Sequence, residues 1–571
     1  MTYQAEYIRW KESAILSDVE RQELIAIAGN EEEIEDRFYR GLSFGTAGLR
    51  GVMGMGTNRM NHYVVRQASE AFARVILRED PRGKERGVCI CYDCRLHSRE
   101  FATVAAHAMR RHGIKVYLFE DCRPTPQLSF AVRHFDAAAG INVTASHNPK
   151  EYNGFKVYWA GGAQLPPAQA DLVAAEMEKI PVLATDGEPV GEMAPVEYLG
   201  EAFDRLYMDA VLRTAMDSAA IPAVAEDFKV VFTPFHGVGG AIVPQVLREA
   251  GIRHLYCVEA QMAPDGTFPT VESPNPEDPA GFALAAELAL QVGADFIVGT
   301  DPDSDRVGIQ VKDPTGKFVP VSGNRTGALL LHYILTSGAR CGRLPQNPAV
   351  IKTLVTTDLA RKIAEAHGAA CYDTFTGFKY MAEKVKELED ADSGNYILAY
   401  EESYGYMMGD HARDKDGVVG ALLLTEMAAW YRARGMTVLD GLQELWDTYG
   451  YYAEHTINAM FPGADGMERM QRIMEGLRAQ PPAMIGEKPV CAVLDYRSGV
   501  RRDSEGDQPL HISGSDVLCF QLKTGGKVIV RPSGTEPKIK VYALVAGPDL
   551  SGAEALAVHC AESLRDMLMQ I

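Results

Sequence analysis

Short apolar runs of roughly five to seven residues alternate with helix-periodic segments of roughly ten or more through most of the chain. No other feature constrains the fold as tightly, because a repeated strand–helix beat requires layered α/β units. The first stretch reads "GVCICYD", "SREFATVAAHAMRRHG", "IKVYLFE", "TPQLSFAVRHF", "AAAGINVTAS". The beat restarts at "FKVVFTPF", after a polar stretch near 180–200, and again at "GNRTGALLLHYIL". From about residue 450 the order becomes strands followed by one helix, "SGAEALAVHCAESLRDMLMQI". The expected architecture is three α/β domains with mixed sheets plus a C-terminal α+β domain around a central cleft. The expected boundaries are 1–205 (an arm of two helices and the first α/β domain), 206–322, 323–452 and 453–571. A chain of 571 residues has room for that many domains.

With 46% hydrophobic and 23% charged residues the composition is that of globular protein. The 57 basic residues face 77 acidic ones, a net charge of −20, which argues against nucleic acid or an anionic membrane surface as the main partner. A small anionic substrate stays open, since a site can be locally basic. No apolar run approaches the ~18–20 residues that span a bilayer, and the N-terminal stretch lacks a signal-peptide core. A cytoplasmic protein, monomeric or a small homo-oligomer, is expected. Of the 10 cysteines only Cys89, Cys91 and Cys94 cluster, without a second pair at zinc-site spacing, so free thiols are expected.

Five stretches carry chemistry. In "VTASHNPKEYNGFKVYW" Ser146 and His147 precede Asn148-Pro149, which a turn would explain; a reactive serine with Lys156 nearby would explain more. Lys150 reads as a solvated charge. In "FIVGTDPDSDRVGIQV" Asp301, Asp303 and Asp305 sit between two apolar strands. Three like charges this close call for a cation, and hard oxygen ligands on a short loop suit Mg²⁺. An EF-hand is excluded, because Arg306 and Lys312 stand where that loop needs glycine and glutamate. In "KVIVRPSGTEPKIKV" Arg531, Ser533, Gly534 and Thr535 offer a guanidinium fork, hydroxyls and an open backbone to a phosphate. In "LAYEESYG" Glu401, Glu402 and Ser403 end an apolar strand and could read sugar hydroxyls. "FGTAGLRG" places Arg50 in a glycine-rich loop that is not a Walker A loop. The inventory is that of Mg²⁺-dependent phosphoryl transfer on a polyol phosphate.

"TASHNP", "GTDPDSDR", "EESYG" and "RPSGTEPKIK", in this order, resemble the α-D-phosphohexomutases. "FGTAGLRG", "YDCRLHS", "TGFK" and "RDKDG" fit the branch containing phosphoglucomutase and phosphopentomutase, and the likeness runs from about residue 41 to 545. The resemblance implies that Ser146 is phosphorylated and binds one Mg²⁺ per subunit with Asp301, Asp303 and Asp305, with Arg306 against the phosphoserine. Arg50, His147 and Lys156 would be catalytic. Gly377, Phe378, Glu401 and Ser403, with Lys415 and Lys352, would contact the sugar or its phosphate, and Arg531, Ser533, Gly534 and Thr535 would grip the non-reacting phosphate.

The implied reaction interconverts glucose 1-phosphate and glucose 6-phosphate through a sugar bisphosphate that also activates the enzyme. Phosphopentomutase and phosphomannomutase activities are the alternatives within the family. A sugar-1,6-bisphosphate synthase would share every motif. A non-catalytic sugar-phosphate-binding regulator should have lost Ser146 or an aspartate, and all are present.

Overall fold

The computed structural model describes residues 2–46, 48–185, 192–462, 466–533 and 537–570. Four sheets follow one another along the chain. The first has six strands in the order Leu49–Val52, Tyr152–Trp159, Ala139–Val143, Val88–Tyr92, Val116–Phe119, Val196–Leu199. Its last four strands are parallel, and Tyr152–Trp159 runs antiparallel to both of its neighbours. The second orders Phe318–Pro320, Val307–Lys312, Phe296–Thr300, Lys229–Thr233 and His254–Cys257. The third orders Ala370–Thr374, Pro348–Thr353, Asn395–Glu401 and Gly405–Met407. The C-terminal sheet is antiparallel and carries the helices Gly466–Ala479 and Leu550–Gln570. Mixed α/β sheets and a C-terminal domain are thus what the alternation led one to expect.

Strands such as Val88–Tyr92 and Phe296–Thr300 are buried along their whole length, as parallel strands covered by helices on both faces must be. One hydrophobic core runs through the first three units and includes the helix Gly417–Ala433, whose N-terminal Val418 and Val419 amides donate to the Asp416 side chain. The C-terminal sheet has its own core and meets the third unit through a smaller cluster around Leu354, Phe375 and Tyr496.

One device recurs in the α/β units. A parallel strand ends, the chain makes a short loop, and the next strand returns antiparallel beside it: Val143 to Tyr152, Thr300 to Val307, Glu401 to Gly405. Ligands of α/β sheets gather beyond the carboxyl ends of parallel strands, and these are the loops that carry Ser146, the aspartates and, just after the strand-end Glu401, Glu402 and Ser403.

Two expectations need correction. The N-terminal arm has three helices, Tyr3–Lys11, Asp18–Ala26 and Glu31–Phe38, rather than two. Thr2, Ser17 and Asn30 each cap a new start, and Trp10 joins the arm to the body by packing edge-on against Phe38 and Tyr63. Arg50 lies not in a loop but on the edge strand Leu49–Val52, opposite Gly154. Gly154 has to be glycine there, because a Cβ would come within 2.5 Å of the Thr144 carbonyl oxygen.

Candidate active site

Ser146 follows the strand Ala139–Val143 and adopts φ of 52°, a left-handed conformation that costs a non-glycine residue of order 1–3 kcal/mol and marks functional sites. Its backbone N–H donates to Thr144 Oγ1 at 2.8 Å, and its Oγ donates to Asp301 Oδ2 at 2.9 Å. The strained loop therefore aims the hydroxyl at the aspartate loop of the second unit. His147 Nδ1 lies 3.2 Å from Ser146 Oγ. Burial, and then the Arg306 and Arg50 guanidiniums, push the His147 pKa down to about 2, so the imidazole is neutral. Arg50 reaches the same loop by donating to Asn148 Oδ1 at 3.1 Å.

The aspartates bring one oxygen each within 4.8 Å of one another, all three residues being buried. Asp303 Oδ2 accepts from Lys156 Nζ at 2.8 Å and from the hydroxyls of Thr125 and Thr144 at 2.9 and 3.1 Å. Asp305 Oδ2 faces Lys156 at 3.4 Å and Lys415 at 3.1 Å. Asp301 Oδ1 accepts the backbone N–H groups of Asp305 and Arg306 at 3.0 and 2.9 Å. Burial, then Asp303 and Asp305, raise the Asp301 pKa far above the usual carboxylate range. Burial opposes charge on Lys156 too, but Asp303 and Asp305 outweigh it and raise its pKa.

Asp303 Oδ1 and Asp305 Oδ1 are buried and have no hydrogen-bond partner. Buried carboxylate oxygens without partners are costly. A small hard cation taking oxygen ligands from this cluster and from Ser146 satisfies them, so the residues present fit a divalent metal.

Beside the cluster opens a cavity of about 570 Å³. His147 and Arg306 form its inner end, Glu401, Glu402, Ser403, Thr376 and Gly377 its third-unit wall, and Arg531, Lys540, Thr456 and Tyr542 its C-terminal wall. Arg306 Nη1 donates to Glu277 Oε1 at 2.6 Å. Arg531 Nη1 donates to Thr376 Oγ1 at 2.5 Å across the boundary between third and fourth units. Ser533 follows on the same loop, its N–H donating to the Lys538 carbonyl at 2.9 Å. Gly534 and Thr535 lie outside the described residues.

Three residues expected to contact the sugar or its phosphate do not line this cavity. Lys352 is fully buried, its ammonium 2.9 Å from Asp373 and 3.1 Å from Asp358. Phe378 opens the helix Phe378–Asp390 and packs in the core with Ile351, Met381 and Met407. Lys415 belongs to the aspartate cluster rather than to the cavity wall, with its ammonium 3.1 Å from Asp305. We expect Lys352→Met to destabilise the protein by about 3 kcal/mol, because the partnered aspartates lose a buried cation. Chemical denaturation should show the earlier transition, with KM for the sugar phosphate unchanged.

Four family models fall on the chain in order. Residues 41–182, 205–316 and 322–449 match alpha/beta/alpha domains I, II and III of phosphoglucomutase/phosphomannomutase, and 518–558 match its C-terminal domain. The chain belongs to the phosphoglucomutase/phosphomannomutase family. It is 34% identical over 528 residues to a phosphoglucomutase of Staphylococcus aureus strain N315, with 91% of this chain and 92% of that protein covered. Two solved structures share the fold. A phosphoglucomutase/phosphomannomutase family protein of Burkholderia thailandensis has a TM-score of 0.64 at 19% identity, over 93% of this chain and 96% of that one. Parafusin (phosphoglucomutase) of Paramecium, in its open form, has a TM-score of 0.65 at 18% identity, over 93% and 95%.

The chain is an enzyme of this family, and Thr125, Thr144, Lys540 and Arg95 join its site although the sequence alone assigns them no role. Thr125, which opens the helix Thr125–His134, and Thr144, which follows the strand Ala139–Val143, are ordinary threonines until their hydroxyls meet Asp303. Glu402 accepts from the Thr353 and Thr356 hydroxyls at 3.2 Å each, and burial followed by the Glu401 charge raises its pKa to about 7. Lys540, the last letter of "RPSGTEPKIK", reaches the cavity from the strand Lys538–Gly547. Arg95 is the largest omission, although its letters stand in "YDCRLHS".

Proposed function

We propose that the protein interconverts glucose 1-phosphate and glucose 6-phosphate, with Ser146 carrying the phosphoryl group between the two ends of the sugar. The observation that carries this reading is Ser146 Oγ, on a strained residue and aimed at Asp301 in a cluster with partnerless carboxylate oxygens, beside a cavity lined by His147, Arg531, Glu401 and Ser403. The choice of glucose is supported by the likeness to the Staphylococcus phosphoglucomutase.

When bound, Mg²⁺ supplies charge neutralisation for the phosphoryl group at Ser146. The sugar hydroxyl attacks phosphorus, the P–Oγ bond breaks and a sugar bisphosphate forms. We assign the hydroxyl's proton to the neutral His147 imidazole, and the proton that Ser146 Oγ gains to the Lys156 ammonium. After the bisphosphate turns round, the second transfer returns both protons and restores the phosphoserine. Arg50 and Arg306 face the transferring phosphoryl group. Arg531 and Ser533, with Gly534 and Thr535, hold the other phosphate, while Glu401 and Ser403 read hydroxyls beside Gly377. The bisphosphate is also the activator, since it phosphorylates any serine that has lost its phosphate. Ten free cysteines support a reducing, cytoplasmic setting. Among the described residues no helix is long and apolar enough to cross a membrane.

The test is a coupled assay with Mg²⁺ and trace glucose 1,6-bisphosphate, comparing glucose, mannose and ribose 1-phosphates. We expect the highest kcat/KM for glucose 1-phosphate. A higher value for ribose or mannose 1-phosphate would overturn the choice of sugar.

A further inference from the structure

Arg95 stands on the turn after the strand Val88–Tyr92, fully buried as a side chain. It touches neither the aspartates nor the cavity wall, yet its guanidinium gathers the serine loop. Nη2 donates to the carbonyl of Ser146 at 2.6 Å and to that of Asn148. Nη1 donates to the carbonyls of Pro149 and Tyr152 at 2.8 and 3.1 Å. Nε faces Asp93 Oδ2 at 3.3 Å, and Asp93 is itself fixed by accepting from Ser98 Oγ at 2.7 Å. The four Nη–H bonds of one planar group are thus directed at the loop, while Nε lies beside the Asp93 carboxylate without a hydrogen bond to it.

The second unit closes over this arrangement. The Phe268 ring lies 5.1 Å from the guanidinium carbon. Gly266 passes so close that a Cβ there would come within 2.6 Å of the Cys94 carbonyl oxygen and the Leu96 nitrogen. The serine loop and the aspartate loop belong to different sheets, and Arg95 sits where the two units are pressed together. A left-handed Ser146 needs its surroundings to hold it, and its own carbonyl is one of the four that Arg95 binds.

We propose that Arg95 is a positioning residue for phosphoryl transfer: it holds the four-carbonyl loop so that Ser146 Oγ points at Asp301, and the Gly266–Phe268 turn clamps it from the second unit. The inference rests on Ser146 being the phosphoryl carrier. Lysine cannot replace it, because a tetrahedral ammonium has three N–H bonds and no fork to span four carbonyls.

The experiment follows phosphorylation of Ser146 by glucose 1,6-bisphosphate, in which a sugar O–P bond breaks, P–Oγ forms and the serine proton passes to the sugar oxygen. Parent, Arg95→Lys and Phe268→Leu are compared, with circular dichroism and thermal unfolding to verify folding, and KM and kcat measured for glucose 1-phosphate. A small misplacement of reacting groups costs on the order of 10²-fold, so Arg95→Lys should phosphorylate Ser146 about 10²-fold more slowly at unchanged KM. Amide exchange at Ser146 and His147 should quicken in the same variant. Phe268→Leu should show a smaller loss in the same step. A folded Arg95→Lys with the parent's phosphorylation rate, or with its loss confined to KM, would overturn the proposal. So would full activity of Phe268→Leu beside an Arg95→Lys that merely unfolds. A parent that is never phosphorylated at Ser146 would instead overturn the functional reading on which this one rests.

Discussion

Replacing Ser146 with alanine should lower mutase turnover on the order of 10⁵-fold, the scale on which loss of a covalent nucleophile is felt. The serine oxygen is the atom to which phosphorus would be bonded between the two halves of the reaction, so nothing remains to carry the group. The residues assigned to holding the sugar and its far phosphate are on other units, and the KM of the residual activity should stay near the parent's. The loop should also survive, because four carbonyls of residues 146–152 are held by Arg95 and none of those bonds uses the serine side chain. Steady-state kinetics with a stopped-time assay for the residual rate decides it. Turnover within tenfold of the parent would mean that the phosphoryl group travels by another route.

Removing divalent metal should be nearly as damaging. The buried aspartates Asp301, Asp303 and Asp305 keep Lys156 and Lys415 as their nearest ammonium partners, and two carboxylate oxygens have no hydrogen bond at all. A cation at this cluster is the group that would neutralise a phosphoryl group arriving at Ser146, an effect of several kcal/mol, or roughly 10³-fold in kcat. Treatment with EDTA should therefore take kcat down by about that factor. Mg²⁺ should restore it, and Ca²⁺, larger and looser in its geometry, should restore it poorly. The same titration followed by thermal unfolding should show the first transition rising with metal concentration, as any ligand of the folded state alone requires. Full activity after exhaustive chelation would contradict the assignment of the aspartates.

What could be read from the letters alone depended on how locally each piece of chemistry is written. The α/β beat and the two reactive loops were legible because a buried strand, its loop and its antiparallel return occupy consecutive residues, as in Phe296–Thr300 followed by Asp301 to Asp305. Arg95 was not, because its carbonyl partners lie 51 to 57 residues away and meet it only when the sheet is assembled. Lys352 is the opposite case. A lysine inside "VIKTLV" looks functional until the parallel register sets it opposite Asp373, which neutralises it. Phe378 follows a motif that faces the cavity at Thr376 and Gly377, but the helix it begins turns its ring into the core. Asn30, which caps the arm's third helix, also reads as a simple loop residue, so the letters suggest two helices where there are three. Arg50 reads as part of a glycine-rich loop because its strand partner, Gly154, comes about a hundred residues later.

Whether Ser146 carries the phosphoryl group can be read by mass spectrometry of the peptide containing it. After brief incubation with glucose 1,6-bisphosphate and Mg²⁺, that peptide should gain one phosphate on Ser146, and lose it again when glucose 1-phosphate or glucose 6-phosphate is added in excess over bisphosphate. A protein that turns over its substrate while Ser146 stays unmodified throughout would contradict the account.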